Sequence, residues 1–155
     1  MKNIVLLLVI LFSAIQCKNK EAEKVENPKI ETPVVNDIKL NNDCYVYDAN
    51  GSKIILEISN STNEISGNLE YQLKEKDSNK GTFKGILTND ILLLNYTFQS
   101  EGKESFREIA FKVKDNQLIE GFGEIVTEGT NAKFKDVKTL DFSSTMPLTK
   151  TDCAK

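Results

Sequence analysis

The chain has 155 residues and a formal net charge of −3 at pH 7, from 20 basic and 23 acidic residues. It contains no histidine, which excludes Ser–His and Cys–His catalysis and imidazole metal sites. The lysines are dispersed and no glycine-rich phosphate loop is present, so we predict no nucleic-acid partner, no cofactor and no metal ion.

The first element is a short apolar segment that ends at a cysteine. Lys2 precedes the apolar run Ile4–Ile15, and Cys17 is followed by the charged stretch Lys18–Glu21. The run has the length of an export signal, whereas a membrane span needs about 20 residues. The arrangement resembles the signal of bacterial lipoproteins, in which the cysteine becomes the lipid-bearing N-terminus.

That resemblance implies a signal peptide over residues 1–16 and a lipid on Cys17 that attaches the chain to a membrane. It also implies a location in the cell envelope, at the outer membrane, facing the periplasm or the cell surface. The alternative is an uncleaved or simply secreted form. Residues 17–42 are rich in Lys, Glu and Asn and carry Pro28 and Pro33 without a sustained apolar period. Such a composition predicts a flexible tether.

Residues 43–155 show the alternation of apolar and polar side chains that is typical of strands. Turn residues recur about every 8–12 positions, and no helical period is visible. We therefore predict about eight strands. The alternation is carried by Ile54, Leu56 and Ile58; Leu69, Tyr71 and Leu73; Phe83, Gly85 and Leu87; Leu92, Leu94, Tyr96 and Phe98; Ile109, Phe111 and Val113; a strand over Leu118–Val126; and a last strand near Leu140 and Phe142.

Strands joined by short hairpins form an antiparallel up-and-down meander, and about eight of them are enough to close a barrel. The predicted fold class is therefore all-β, a closed or nearly closed barrel that resembles the lipocalin-like barrels in outline. A two-sheet β-sandwich is the alternative. The residues expected to point inward are bulky enough to fill such a barrel: Ile54, Leu56, Leu69, Tyr71, Phe83, Leu94, Tyr96 and Phe111.

The three cysteines fit this picture. If Cys17 carries lipid, Cys44 and Cys153 remain, and they bracket the predicted domain. In an oxidising envelope such a pair predicts a disulfide, and closure of the barrel would bring the first strand beside the last. Two separate free thiols are the alternative.

Arg107 is the first candidate for binding, because it is the only arginine in the chain. Alternation places it on the face of Ile109 and Phe111, the more apolar face of its strand. A guanidinium in an apolar interior needs a carboxylate or an anionic ligand. Three interpretations stay open: a structural ion pair with Glu75, Glu101 or Glu124, a bound anion, or a solvated side chain.

The segment Glu120–Glu124 is the second candidate. Glu120 and Glu124 share one strand face with Phe122, and two glycines lie on the other face. If the glutamates point inward, Arg107 could partner one of them, and paired carboxylates can catalyse acid–base chemistry on sugars. If the glycines point inward, they relieve strain or leave space.

We expect a non-enzymatic binding module of the bacterial envelope, with Arg107, Glu120 and Glu124 as candidate binding residues. The partner would be a small apolar or anionic ligand, or an envelope protein. The alternative is a structural or inhibitory surface protein, similar in general form to periplasmic lysozyme inhibitors. A hydrolase that uses Glu120 or Glu124 is the least favoured hypothesis.

Overall fold

Strands make up most of residues 38–100 and 102–153, the part of the chain that the computed structural model describes. The predicted signal peptide, Cys17 and most of the predicted tether lie outside these described residues. The elements are β1 (Cys44–Ala49), β2 (Ser52–Ser61), β3 (Ile65–Gln72), β4 (Asn79–Thr88), β5 (Ile91–Ser100), β6 (Lys103–Lys114), β7 (Gln117–Gly121), β8 (Ile125–Glu128), β9 (Asn131–Phe134), a 3₁₀-helix (Val137–Thr139) and β10 (Leu148–Thr151).

Eight of the strands close an antiparallel barrel. Each of β1 to β6 pairs with the next strand along the chain, and β10 pairs with β1 on one side and with β7 on the other. The predicted up-and-down barrel is confirmed, and the two-sheet sandwich does not form. The hairpin of β8 and β9 lies outside this circuit and joins it where β9 runs parallel to β6 at Phe106 and Arg107.

Tight turns explain why successive strands pair. Asn50 and Gly51 have φ angles of 55° and 77°, and two positive φ values are what a two-residue type I′ hairpin requires. Asn89 and Asp115, in the turns after β4 and β6, also have positive φ angles of 56° and 53°. The turns alternate between two ends of the barrel, which we call the Cys44 end and the Gly51 end.

Apolar side chains fill the interior of the barrel. All eight residues predicted to point inward are buried, with exposed fractions of 4% or less. Leu40 precedes β1 and is also buried as part of the same cluster, so the chain entering at the Cys44 end contributes to the core. Most of the interior is therefore occupied by the protein's own side chains.

The chain departs from the predicted strands after Gly121. The predicted strand Leu118–Val126 is divided into β7 and β8, and the last barrel strand is β10 rather than the segment near Leu140 and Phe142. Phe142 packs closely on the chain at this point, since a Cβ atom added at Gly121 would lie 2.5 Å from its Cε1. Phe122 then exchanges two backbone hydrogen bonds of 2.9 Å with Asp141, which fixes the point where the chain leaves the barrel wall.

The two ends of the barrel sequence meet at the Cys44 end. The Sγ atoms of Cys44 and Cys153 lie 2.04 Å apart, at disulfide-bond distance, as the sequence predicts. In residues 38–100 and 102–153, none of the helical structure is long and apolar enough to cross a membrane.

Candidate functional site

A gap in strand pairing creates a pocket in the barrel wall. On one edge of β6, β9 pairs at Phe106 and Arg107, while β7 pairs from Ala110 onward. Glu108 and Ile109 lie between these two stretches, opposite neither strand. The gap opens into a pocket of about 180 Å³, in the half of the barrel nearer the Gly51 end. Its lining residues are Arg107, Glu108, Ile109, Glu120, Gly121, Phe122, Gly123, Ile125 and Phe134.

Arg107 enters this pocket from the inner face of β6. Its side chain is half-buried, and its Cζ atom lies 5.3, 6.0 and 5.8 Å from the ring centres of Tyr71, Tyr96 and Phe98. These distances suit cation–π attraction. The Nε atom is buried and has no hydrogen-bond partner.

The carboxylates predicted to neutralise Arg107 have other partners or cannot be placed. Among the described residues, the ion pairs within 4.0 Å all involve lysines, so none includes Arg107. Glu124 binds Lys135 at 2.9 Å, and Glu75 lies 3.9 Å from Nζ of Lys74. Glu101 lies outside the described residues. Ion pairing with Glu75 or Glu124 is therefore not how the structure accommodates this guanidinium.

Glu120 extends into the barrel from β7. It is 9% exposed, and its Oε1 accepts a hydrogen bond of 2.9 Å from the hydroxyl of Tyr71. Burial raises the pKa of Glu120, while the Tyr71 hydrogen bond and the charge of Arg107 act in the opposite direction. Burial likewise raises the pKa of Tyr71 well above 10.0, with the nearby Glu120 charge adding to the effect. Tyr71 is therefore a neutral donor over the ordinary pH range.

The hydroxyl group of Tyr96 has hydrogen-bond partners other than the guanidinium. Its hydroxyl lies 3.0 Å from the carbonyl oxygen of Leu69 and 2.9 Å from Oδ1 of Asn79. Burial raises the pKa of Tyr96 to about 12. Since its hydroxyl is engaged elsewhere, Tyr96 offers Arg107 a ring face rather than an oxygen.

The mouth of the pocket is mainly apolar. Phe122 and Ile125 are 51% and 43% exposed, and Phe134 is half-buried beside them. The side chain of Glu108 links β6 to β9: its Oε2 accepts a hydrogen bond of 2.9 Å from the backbone N–H of Phe134. A molecule in this pocket would thus meet apolar surface at the mouth and charged groups inside.

The structure brings two of the three predicted binding residues together. Arg107 and Glu120 line the same pocket, whereas Glu124 is exposed at the surface and does not line it. The predicted pairing of Glu120 with Glu124 on one strand face fails because β7 ends at Gly121. The arrangement can bind a charged group, but it does not bring the carboxyl groups of Glu120 and Glu124 together.

Sequence reasoning missed the contacts that Tyr71 and Glu108 make at this site and the apolar mouth of the pocket. The alternation predicts Tyr71 inside the barrel, but only as one of the side chains that fill it. A buried tyrosine hydroxyl usually finds a hydrogen-bond partner. Two inward tyrosines therefore signalled a polar region inside the barrel, although not its position.

No group of three or more Cys, Asp or Glu side chains in the described parts of the chain is arranged to hold a metal ion. Comparison of the chain with protein-family models, with curated proteins and with solved structures finds no match. The functional argument therefore depends on the geometry of the pocket.

Proposed function

We propose that this protein is a lipid-anchored binding module of the bacterial envelope that holds a small anionic ligand in the pocket between β6 and β7. It is proposed to act without catalysis. The observation that carries the proposal is the half-buried guanidinium of Arg107, whose Nε faces no hydrogen-bond acceptor.

A half-buried cation whose Nε is buried without a hydrogen-bond partner is costly, and the cost argues for a missing partner. Removing a charged group from water costs roughly several kcal/mol of hydration free energy, unless a counter-charge or hydrogen bonds replace the lost water. The rings of Tyr71, Tyr96 and Phe98 provide about 0.5–2 kcal/mol each at best. An anion in the pocket would supply hydrogen-bond acceptors as well as charge, and guanidinium geometry suits a planar oxyanion.

The size of the free space limits the ligand. Drug-sized ligands occupy pockets of roughly 300–1,000 Å³. The pocket here has about 180 Å³, and the rest of the interior is filled by buried side chains. We therefore propose a small ligand at the side of the barrel, rather than a large one along its axis.

Purification of the protein from its own envelope tests this proposal. Native mass spectrometry of the wild type should show a retained small molecule, and Arg107→Gln should release it. Lys112→Gln is the matched control, because Lys112 lies on the same strand and pairs with Asp90 instead. Equal retention by all three proteins would contradict a role for Arg107.

The anchor is a separate part of the proposal, supported by the apolar run that ends at Cys17. Cells supplied with labelled palmitate should incorporate the label into the wild type and not into Cys17→Ser. The wild type should fractionate with the outer membrane, and the variant should not. Label in both proteins, or in neither, would contradict lipidation at Cys17.

A protein-contact role is the second candidate. It is favoured by the exposed apolar side chains beside the β8 edge: Phe122, Ile125 and Val126, with exposed fractions of 51%, 43% and 47%. A structural or inhibitory surface protein would use such a patch. Hydrolysis has less support, because Glu120 is buried while Glu124 is exposed and bound to Lys135.

A further inference from the structure

We infer that the pocket selects a small monoanionic carboxylate with an apolar body over divalent anions such as sulfate, and that this carboxylate binds beside Arg107 and the Glu120 carboxyl group. The inference rests on the proposed function and specifies its ligand. It depends on the charges, the apolar mouth and the volume of the pocket.

The charge balance of the pocket disfavours a dianion. Arg107 is the one cationic side chain among the lining residues, whereas Glu108 and Glu120 both contribute carboxyl groups. The Glu108 carboxylate is fixed near the mouth by the N–H of Phe134. A second negative charge on the ligand would find no second cation there and would approach these carboxyl groups. Like charges at close range in a partly buried site cost enough to exclude a competitor.

The Glu120 carboxyl group decides whether a monoanion is accepted. When protonated, it can keep the Tyr71 hydrogen bond on one oxygen and donate its own proton to a ligand carboxylate. When ionised, it has no proton to donate and repels the ligand. Burial favours the protonated form by raising the pKa of Glu120.

At this site, the proton of Glu120 is the feature that we expect to change most with pH. Tyr71 of β3 donates to it, and β6 contributes the positive charge of Arg107 and the carboxylate of Glu108. The neighbouring strand β10 contributes Leu148, which is fully buried and apolar. Because Tyr71 stays neutral over the ordinary pH range, ligand affinity should follow the protonation of Glu120.

The mouth and the volume define the rest of the ligand. Ile109, Phe122, Ile125 and Phe134 would contact an apolar body once the carboxylate reaches Arg107. Burial of such surface stabilises a complex by roughly 25 cal/mol per Å². A pocket of about 180 Å³ has the liquid volume of about six water molecules, so the bound portion is short.

Titration of the purified full chain with benzoate, followed by NMR chemical shifts, tests the inference. Benzamide has the same shape without the charge, and sulfate is a dianion without the apolar body. We expect benzoate to bind at least about tenfold more tightly than either. The affinity for benzoate should fall as pH rises through the raised pKa of Glu120.

Variants test the roles of Glu120 and Arg107 separately. Glu120→Gln keeps a neutral donor, so it should bind benzoate with a flat pH profile, whereas Glu104→Gln, an exposed site on the same strand as Arg107, should behave as the wild type. Arg107→Gln should lose binding. Ile125→Glu places a negative charge at the exposed mouth and should weaken binding by about tenfold even if Arg107→Gln fails to fold.

The outcomes distinguish the inference from the proposed function. Sulfate binding that equals benzoate binding and needs Arg107 would overturn the ligand class and leave the anion site intact. If Glu120→Gln showed the same pH dependence as the wild type, the Glu120 carboxyl group would have no role in binding. If none of the three compounds binds, or if Arg107→Gln and Ile125→Glu both bind benzoate as the wild type does, the anion site itself is wrong.

Discussion

The hydrogen bond between Tyr71 and Glu120 is the residue-level contact on which the interior of the pocket depends. Tyr71→Phe would leave a buried carboxyl group without its donor, so we expect a loss of about 1–3 kcal/mol in the free energy of unfolding. The measurement is urea unfolding at about pH 5 and about pH 8. Tyr47→Phe is the control, since Tyr47 is only half-buried.

The pH dependence follows from the direction of the Glu120 shift. The pKa of Glu120 is raised above its ordinary value of 4.5, so the folded protein holds this proton more tightly than the unfolded chain does. Its contribution to stability is fully present below the ordinary value and declines as pH rises through the raised value. Tyr71→Phe removes a donor that favours the charged form, so its loss should be larger at the higher pH. Equal losses at both pH values, or equal losses in the Tyr47→Phe control, would contradict this account.

Individual side-chain positions were predictable, but their partners were not. Alternation along one strand is enough to place Arg107, Ile109 and Phe111 on a common inner face, as observed. The partner of Glu120, however, is Tyr71, which lies 49 positions away and on a strand that is not its neighbour. Such contacts depend on the curvature and register of the closed barrel, and no pattern within one strand encodes them.

At the level of elements, prediction succeeded where short turns join paired strands and failed where they do not. From β1 to β6 each strand carries several apolar residues and is joined to the next strand by a connection of six residues or fewer. After Gly121 the chain makes a long excursion before β10. That last strand has the sequence Leu-Thr-Lys-Thr, in which only Leu148 is buried, so it gives almost no periodic signal.

Strand β3 packs closely against β2 at the point where the pairing register of β2 is irregular. A Cβ atom added at Gly67 would lie 1.8 Å from the carbonyl oxygen of Glu57 and 2.9 Å from Cζ of Phe83. Because one of these contacts is with backbone, the two strands must separate to relieve it. We expect Gly67→Ala to cost about 1–3 kcal/mol or more.

Thermal unfolding followed by circular dichroism measures this effect directly. Ser66→Ala is the matched control, because Ser66 is the adjacent residue of β3 and is half-exposed. Its midpoint should stay within a few degrees of the wild type, since surface substitutions usually change stability by less than about 0.5 kcal/mol. A Gly67→Ala protein as stable as Ser66→Ala would show that β2 and β3 are not packed as closely as described.

For the molecule as a whole, closure of the barrel depends on its shortest strand. β10 has four residues and must bridge β1 and β7, and only two residue pairs, at Leu148 and Thr149, join it to β7. Cys153 lies just beyond this strand, and its Sγ is at bonding distance from Cys44, the first residue of β1. A covalent link at this position holds β10 where the barrel is most weakly paired.

Loss of this link should therefore affect the entire barrel. A bridge with a sequence separation of 109 removes much of the freedom of the unfolded chain, and the chain-entropy model gives a stabilisation of about 4–5 kcal/mol. We expect the Cys44→Ser/Cys153→Ser double variant to unfold at a correspondingly lower urea concentration, and reductant to shift the wild type in the same way. Reductant should leave the double variant unchanged, which provides the control.

Amide hydrogen exchange can show whether the barrel opens at β10, where its strand pairing is weakest. In the double variant, Lys150, whose amide donates to the carbonyl oxygen of Asn116, should exchange much faster than Leu94, which lies in the middle of β5. This local effect is expected because β10 loses its covalent support while β5 keeps full pairing with β4 and β6. An unchanged unfolding midpoint together with uniform exchange across both strands would mean that β10 closes the barrel without help from the cysteines.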